Sequence, residues 1–317
     1  MTVAEQAAIR CTGLRKSYGT AEVLKGLDLT VPAKSVFGLL GPNGAGKSTT
    51  MKLLTRQIAP TGGQAWVAGV PISGKSTDVR QRIGYLSEQP AFYLWMTGYE
   101  FLHFIGELFG LKPALLRQRC DELFSLVGLT GAEKKRIGAY SHGMRQRLGI
   151  AQALMNQPEV LFLDEPVSAL DPLGRKEVLE LLAQLKGHCT VFFSSHILAD
   201  VDRVCDQVAV LHHGRLLAQA STQDLKEHYA QPVITIELET EANPLTDLLK
   251  LENYVQQINI QGNQASVLVT DLALAKQRLP ALLVQSGLPL LRYEVALPTL
   301  EDVFVRLVHE EPAEAKQ

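Results

Sequence analysis

The sequence predicts an α/β fold: a parallel, doubly covered sheet followed by a smaller α+β domain. Two observations predict it. The apolar runs "VFGLL", "VLFLDE" and "TVFFSSH" read as buried strands, and the last two flank the helical "GRKEVLELLAQLKG". Apolar strands alternating with helices are the mark of a parallel sheet covered on both faces. After "LKEHYAQP" the composition shifts, and the tail reads β-α-β-β-α-β with a closing helix. That order belongs to a split β-α-β, ferredoxin-like unit. The expected division is residues 1–228 and 232–317.

The elements follow in chain order. "AIRCTGLRKSY", "VLKGLDLTV" and "VFGLL" are strands, and a helix runs from Ser48 with Met51, Leu53, Leu54 and Ile58 near helical spacing. "QAWVAGV" is a further strand, and residues 91–157 form a mostly helical subdomain. In the tail, "VITIELET", "QQINIQG", "ASVLVTD" and "LLRYEVALP" are strands. "LTDLLKLENYV", "LALAKQRLPALLVQSG" and "TLEDVFVRLVHEE" are helices, and Gly262-Asn263 turns the middle hairpin.

Composition narrows the function. The 317 residues are 46% hydrophobic and 20% charged, enough for a packed core. A formal net charge of -2 gives no reason to expect a nucleic-acid partner. The four cysteines form no C-x-x-C pair and read as reduced thiols of a cytosolic protein. The start "MTVAEQAAIRCTG" lacks signal-peptide character. With no apolar run of about 18 residues, the chain is not expected to cross a membrane. It is free to sit against one.

The stretch "GPNGAGKST" fits G-x-x-x-x-G-K-[ST] and lies between an apolar strand and a helix, the context the motif needs. Gly41, Pro42, Asn43, Gly44, Ala45, Gly46 and Thr49 form the loop, whose backbone N–H groups turn inward around a phosphate. Lys47 reaches the β- and γ-phosphates, and Ser48 offers its hydroxyl to Mg²⁺. Composition alone yields about one chance match per hundred chains of this length. The loop therefore predicts nucleoside triphosphate binding.

"VLFLDEP" supplies carboxylates at a strand end. Asp164 can hold the Mg²⁺ shell. Glu165, if the chain turns there, can orient and deprotonate a water.

These motifs, with "YSHGMRQR", "VSALDP" and "FFSSH", stand in the order and spacing of ABC-type ATPases, and the resemblance spans residues 7–225. The ending "ALPTLEDVFVRLV" looks like the C-terminal extension of ATPase subunits in the multidrug and antibiotic exporter branch. The resemblance implies an ABC-type P-loop fold with a mixed sheet and helical subdomain, and an ATPase using ATP and Mg²⁺. It implies that Glu165 is the catalytic base, Asp164 the magnesium carboxylate and His196 the switch that senses the γ-phosphate. It makes Tyr18 the aromatic that stacks on adenine, although spacing alone reads Tyr18 as a strand core residue. It places Asp171 on the loop that touches a partner subunit. Ser141, Gly143 and Met144 then belong to a helix start that faces the partner's γ-phosphate.

Two departures stand out. The family often has Gln after "IGYLP"; here "IGYLSEQP" puts Glu88 at that position and Gln89 one later, and either can contact the metal. His142 occupies the first of two family glycine positions. At a helix start its side chain can point outward, either as a solvated or interface group or as a pH-sensitive contact near the phosphates.

The resemblance further implies a head-to-tail dimer with a second copy or a similar subunit, since the chain has one P-loop and one signature. A separate polytopic permease would dock on the helical subdomain, where "FYLWMTGYEFLHFIGELFG" is unusually aromatic and partly core. The expected place is the cytoplasmic face of the cell membrane, as the energy-coupling subunit of an exporter. The alternatives are a soluble ABC ATPase of translation or DNA repair, which usually carries two cassettes, and a P-loop kinase.

Overall fold

The computed structural model describes residues 7–73, 78–229, 233–296 and 299–309. They form two compact units that divide between Thr222 and Gln223.

The first unit opens with β1 (Ala7–Tyr18) and β2 (Ala21–Pro32), an antiparallel hairpin. The five residues of β3 (Val36–Leu40) are all buried, as a wholly apolar central strand should be. The phosphate loop leads into α1 (Lys47–Leu54). The expected single strand "QAWVAGV" is instead a hairpin, β4 (Gly62–Val67) and β5 (Val70–Pro71). Ala68 and Gly69 both have positive φ, 50° and 75°, so the chain reverses there. Short α2 (Asp78–Arg82) precedes β6 (Ile83–Leu86).

The region expected to be helical contains α3 (Gly98–Leu108), α4 (Pro113–Leu126), a 3-10 turn at Ile137–Ala139 and α5 (His142–Ala153). A capping box starts α3: Thr97 accepts from the Glu100 amide while the Glu100 carboxylate accepts from the Thr97 amide. Then come β7 (Val160–Leu163), α6 (Pro172–Gln184), β8 (Thr190–Ser195), α7 (Leu198–Val204), β9 (Gln207–His212) and β10 (Arg215–Ser221); α8 (Thr222–Tyr229) follows, all but its first residue in the second unit.

Two sheets result. One is antiparallel, in the order β2-β1-β4-β5. The other runs β10-β9-β3-β8-β7-β6, parallel except for β10 at its edge. In its core Phe37 stacks on Phe192 at 5.6 Å and Phe162 meets Phe192 edge-on. Strands β3, β8 and β7 are neighbours, so the segments leaving their C-terminal ends share one crevice, the usual place for a ligand in such sheets.

The second unit contains β11 (Val233–Leu238), α9 (Pro244–Leu249), β12 (Val255–Gln261), β13 (Gln264–Val269), α10 (Leu272–Ser286), β14 (Leu290–Ala296) and α11 (Leu300–His309). Its sheet is antiparallel in the order β12-β13-β11-β14. The first and third strands are central and the second and fourth lie at the edges, the split β-α-β arrangement. Gly262, at φ 61°, turns the β12–β13 hairpin. Ile234, Ile236, Leu279 and Leu283 belong to a separate core. The predicted helix "LTDLLKLENYV" is only six residues long as α9, because Tyr254 is drawn into the core and Val255 already pairs with Val269. Pro232, Leu297 and Pro298, which the tail reading included, lie outside the described residues. No helix among the described residues is long and apolar enough to cross a membrane.

Candidate nucleotide site

The loop after β3 depends on glycine at two places. A Cβ on Gly41 would lie 2.2 Å from the Leu211 carbonyl oxygen. Gly46 has φ 110°, and its Cβ would lie 2.8 Å from Leu24 Cδ2. The turn leaves Pro42, Asn43, Gly44, Ser48 and Thr49 lining a cleft of about 370 Å³. Ala45 is buried beneath it.

Lys47 is 6% exposed. Its Nζ donates to the carbonyls of Gly41 (2.7 Å) and Pro42 (3.4 Å) and lies 3.3 Å from Glu165 Oε1. A buried ammonium needs such partners, since an unpaired charge out of water is costly.

Asp164 and Glu165 follow β7 and are both buried. Ser48 Oγ donates to Asp164 Oδ1 at 3.2 Å, so loop and carboxylate already touch. Adjacent strand residues face opposite sides, yet Glu165 lines the cleft and Asp164 bonds to Ser48, which lines it too. Glu165 resolves this with φ 48°, a left-handed conformation uncommon for a residue with a side chain. Such a conformation costs on the order of 1–3 kcal/mol and persists only where the surroundings enforce it. The turn brings Glu165 Oε2 to 2.9 Å from His196 Nδ1, just beyond β8. Glu165 Oε1 makes no hydrogen bond of its own, although the Lys47 ammonium is near. Glu88 also lines the cleft, while Gln89 is exposed on the same loop. Tyr18 is 49% exposed at the end of β1, beneath the Lys16 ammonium at 5.0 Å. Spacing alone misreads it as core; it is a surface aromatic.

Ser141, Gly143, Met144 and Asp171 form a different group. Ser141 caps α5, its hydroxyl accepting from the Met144 amide at 3.2 Å. Asp171 caps α6, accepting from the Gly174 amide at 3.1 Å. Ser141, Gly143 and Asp171 line a second cavity of about 430 Å³, together with Leu170 and exposed His142. A Cβ on Gly143 would meet only Leu170 Cδ2, at 3.9 Å. Among the described residues nothing forbids a side chain there.

Two buried residues lie inside the quoted motifs, yet the sequence alone assigns them no role. Gln146 on α5 donates to the Pro166 carbonyl at 2.8 Å, tying that helix to the segment after Glu165. Ser194 on β8 donates to Asp164 Oδ1 at 2.6 Å and accepts from the Glu165 amide at 2.9 Å.

Donor chemistry suits a magnesium ion. Ser48 and Asp164 offer oxygen at the loop, and Glu88 adds a carboxylate in the cleft. Among the described residues no cluster of three or more metal-binding side chains exists. Magnesium keeps waters and substrate phosphates in its shell and needs no full protein cage.

Residues 24–168 match the sequence model of the ABC transporter family, and residues 221–308 match the ATP-binding protein DrrA1-3-like C-terminal domain. An uncharacterized ABC transporter ATP-binding protein of Bacillus subtilis, YxlF, is 40% identical over 93% of this chain and 98% of its own. The chain belongs to the ABC transporter ATP-binding proteins. The bacitracin transport ATP-binding protein BcrA of Bacillus licheniformis is 33% identical over 95% of this chain and 97% of its own. The solved ABC transporter subunit cbiO1 of Clostridium perfringens superposes with a TM-score of 0.66 at 25% identity, covering 78% of this chain and 96% of that one. As a member of this family the ATP-binding subunit binds nucleotide and hydrolyses ATP, coupling it to transport. Membership sets it apart from the P-loop kinases and from the soluble ATPases of translation and repair.

Proposed function

We propose that this ATP-binding subunit powers a membrane exporter as a head-to-tail dimer, and that its catalytic residues are those gathered beyond β3, β7 and β8. The observation carrying this reading is the meeting of Lys47, Ser48, Glu165 and His196 in one cleft, with Asp164 bonded to Ser48 and the capped Ser141 helix start lining a separate cavity. A site finished by the partner's helix start explains why one chain holds both halves but does not join them.

In this reading Tyr18 stacks on adenine, and the amides of residues 41–49 with the α1 N-terminus hold the phosphates. Lys47 neutralises phosphate charge. Ser48 and Asp164, with Glu88 or Gln89, would hold Mg²⁺, which supplies charge neutralisation on the β- and γ-oxygens. Glu165 takes the proton of the attacking water. His196, hydrogen-bonded to Glu165, orients that carboxylate and meets the γ-phosphate. Ser141, Gly143 and Met144 of the partner close over the same phosphate, and the partner's Asp171 loop lies beside it.

Tyr93, Leu94, Trp95, Leu108 and Phe109 are each 46–68% exposed in the helical subdomain, while Phe101 and Leu102 are buried. The exposed group suits a permease contact, which would hold the subunit at the cytoplasmic face of the membrane. Export is supported by the DrrA-like tail and by a relative named for bacitracin transport. Residues 1–228 would act as the ATPase and 232–317 as an accessory domain. Co-expression with a polytopic membrane protein from a neighbouring reading frame, if one encodes it, tests the reading. ATPase activity that co-purifies with that membrane protein is the expected outcome; a chain that never associates with it contradicts the exporter role.

A further inference from the structure

The left-handed turn at Glu165 needs something to hold it. Its amide donates to Ser194 Oγ at 2.9 Å, and its carbonyl accepts from Ser168 Oγ at 3.2 Å. The two bonds grip the residue on both sides of its strained Cα. Ser194 is fully buried in β8, between Phe193 and Ser195 in sequence, where a hydroxyl without partners would be costly. Its single proton goes to Asp164 Oδ1 at 2.6 Å. That fixes the hydroxyl's rotation and leaves its lone pairs for the Glu165 amide. One side chain therefore bonds to both carboxylate residues of the cleft.

We infer that Ser194 is a positioning residue for hydrolysis: it locks the backbone of Glu165 in the conformation that aims its carboxylate at His196 and the cleft. The inference rests on Glu165 being the base. Without the Ser194 hydroxyl, the amide of Glu165 is buried and unsatisfied, and the strained turn loses its anchor. The carboxylate then samples other directions. A misplacement of about 1 Å at a reacting group lowers rate on the order of 100-fold. ATP affinity should hold, because Ser194 bonds to no residue of the phosphate loop and Asp164 keeps its own bond from Ser48 Oγ.

The test uses the full-length chain with four forms: wild type, Ser194→Ala, Glu165→Gln and the double variant. Ser194→Ala should lower kcat on the order of 100-fold. Its KM for ATP and its ATP affinity with and without Mg²⁺ should stay near wild type, while its melting temperature should fall by about a few degrees, as one unsatisfied buried amide requires. The double variant should be no slower than Glu165→Gln alone, because both changes act through one group. Ser194→Thr, which keeps the hydroxyl, should recover much of the lost rate if it melts normally. Wild-type kcat in Ser194→Ala overturns the inference. So does a loss that adds fully to that of Glu165→Gln, or one confined to Mg²⁺-dependent ATP affinity, which would place the effect on Asp164. Normal turnover in Glu165→Gln instead overturns the assignment of the base, a separate outcome.

Discussion

Lys47 and Glu165 form an ion pair from which water is almost excluded: Nζ lies 3.3 Å from Oε1, and the side chains are 6% and 9% exposed. The proposed phosphate-binding cation and the proposed base thus neutralise each other across the cleft. Lys47→Ala should abolish tight ATP binding, measured by titration of a fluorescent nucleotide. It also strands Glu165 without its cation, and removing one member of a buried pair costs about 3–5 kcal/mol. A lower melting temperature is therefore expected together with the lost affinity. Undiminished affinity would contradict the role of the loop.

Glu165→Gln keeps the shape of the site and removes the proton acceptor. It should bind ATP and turn over slower by at least about 100-fold. With hydrolysis blocked, the closed dimer should accumulate, visible as an ATP-dependent shift in size-exclusion chromatography. A variant that hydrolyses normally moves the base elsewhere.

Two glycines that look alike in sequence should fail differently. A side chain on Gly41 would collide with the Leu211 carbonyl at 2.2 Å, so Gly41→Ala should unfold at lower temperature. Gly143 has its nearest neighbour at 3.9 Å, so Gly143→Ala should melt like wild type. Its ATPase activity should still fall, because in the proposed dimer the space that the side chain fills is reserved for the partner's nucleotide. Equal melting losses for the two would contradict this.

The four cysteines are all buried. Burial, with the Asp28 charge nearby, pushes the Cys11 thiol up from 9.0 to about 12. Burial alone pushes Cys189 up to about 11. The thiolate is the reactive form, so a thiol reagent at pH 8 should react slowly with the native chain and with four thiols after denaturation. Above pH 9 the unfolded thiols ionise while the folded ones stay protonated, so the unfolded state binds fewer protons. Stability from these groups should be full below pH 9 and decline as pH rises toward 12. Chemical denaturation at a series of pH values reads this directly.

Deleting residues 232–317 should leave nucleotide affinity intact, because the tail's sheet packs on a core of its own, including Ile234, Ile236 and Leu279. Lost nucleotide binding in the truncated chain would argue against an accessory domain.

What the sequence makes legible follows from how motifs work. The phosphate loop and the Asp164-Glu165 pair are readable because their chemistry demands particular residue types at fixed spacing. The β-α-β-β-α-β tail is readable because alternation has period two and the turn at Gly262 is local. Contacts between distant elements are not. Alternation places Ser194 on one face of β8 but does not say that Asp164 and the Glu165 amide meet it there. No local pattern announces a left-handed Glu165, since tertiary bonds enforce it. Tyr18 has strand spacing yet lies exposed, because the sheet ends beside it.

Mixing two crippled chains tests the head-to-tail site most directly. Lys47→Ala has no working loop and Gly143→Arg no working helix start, so each alone should be nearly inactive. In a head-to-tail heterodimer, one site combines both lesions and the other is intact. The mixture should therefore regain roughly a quarter of the wild-type sites under random pairing. Activity that stays at the level of the separate variants would mean that the loop and the Ser141 helix start do not meet across a dimer.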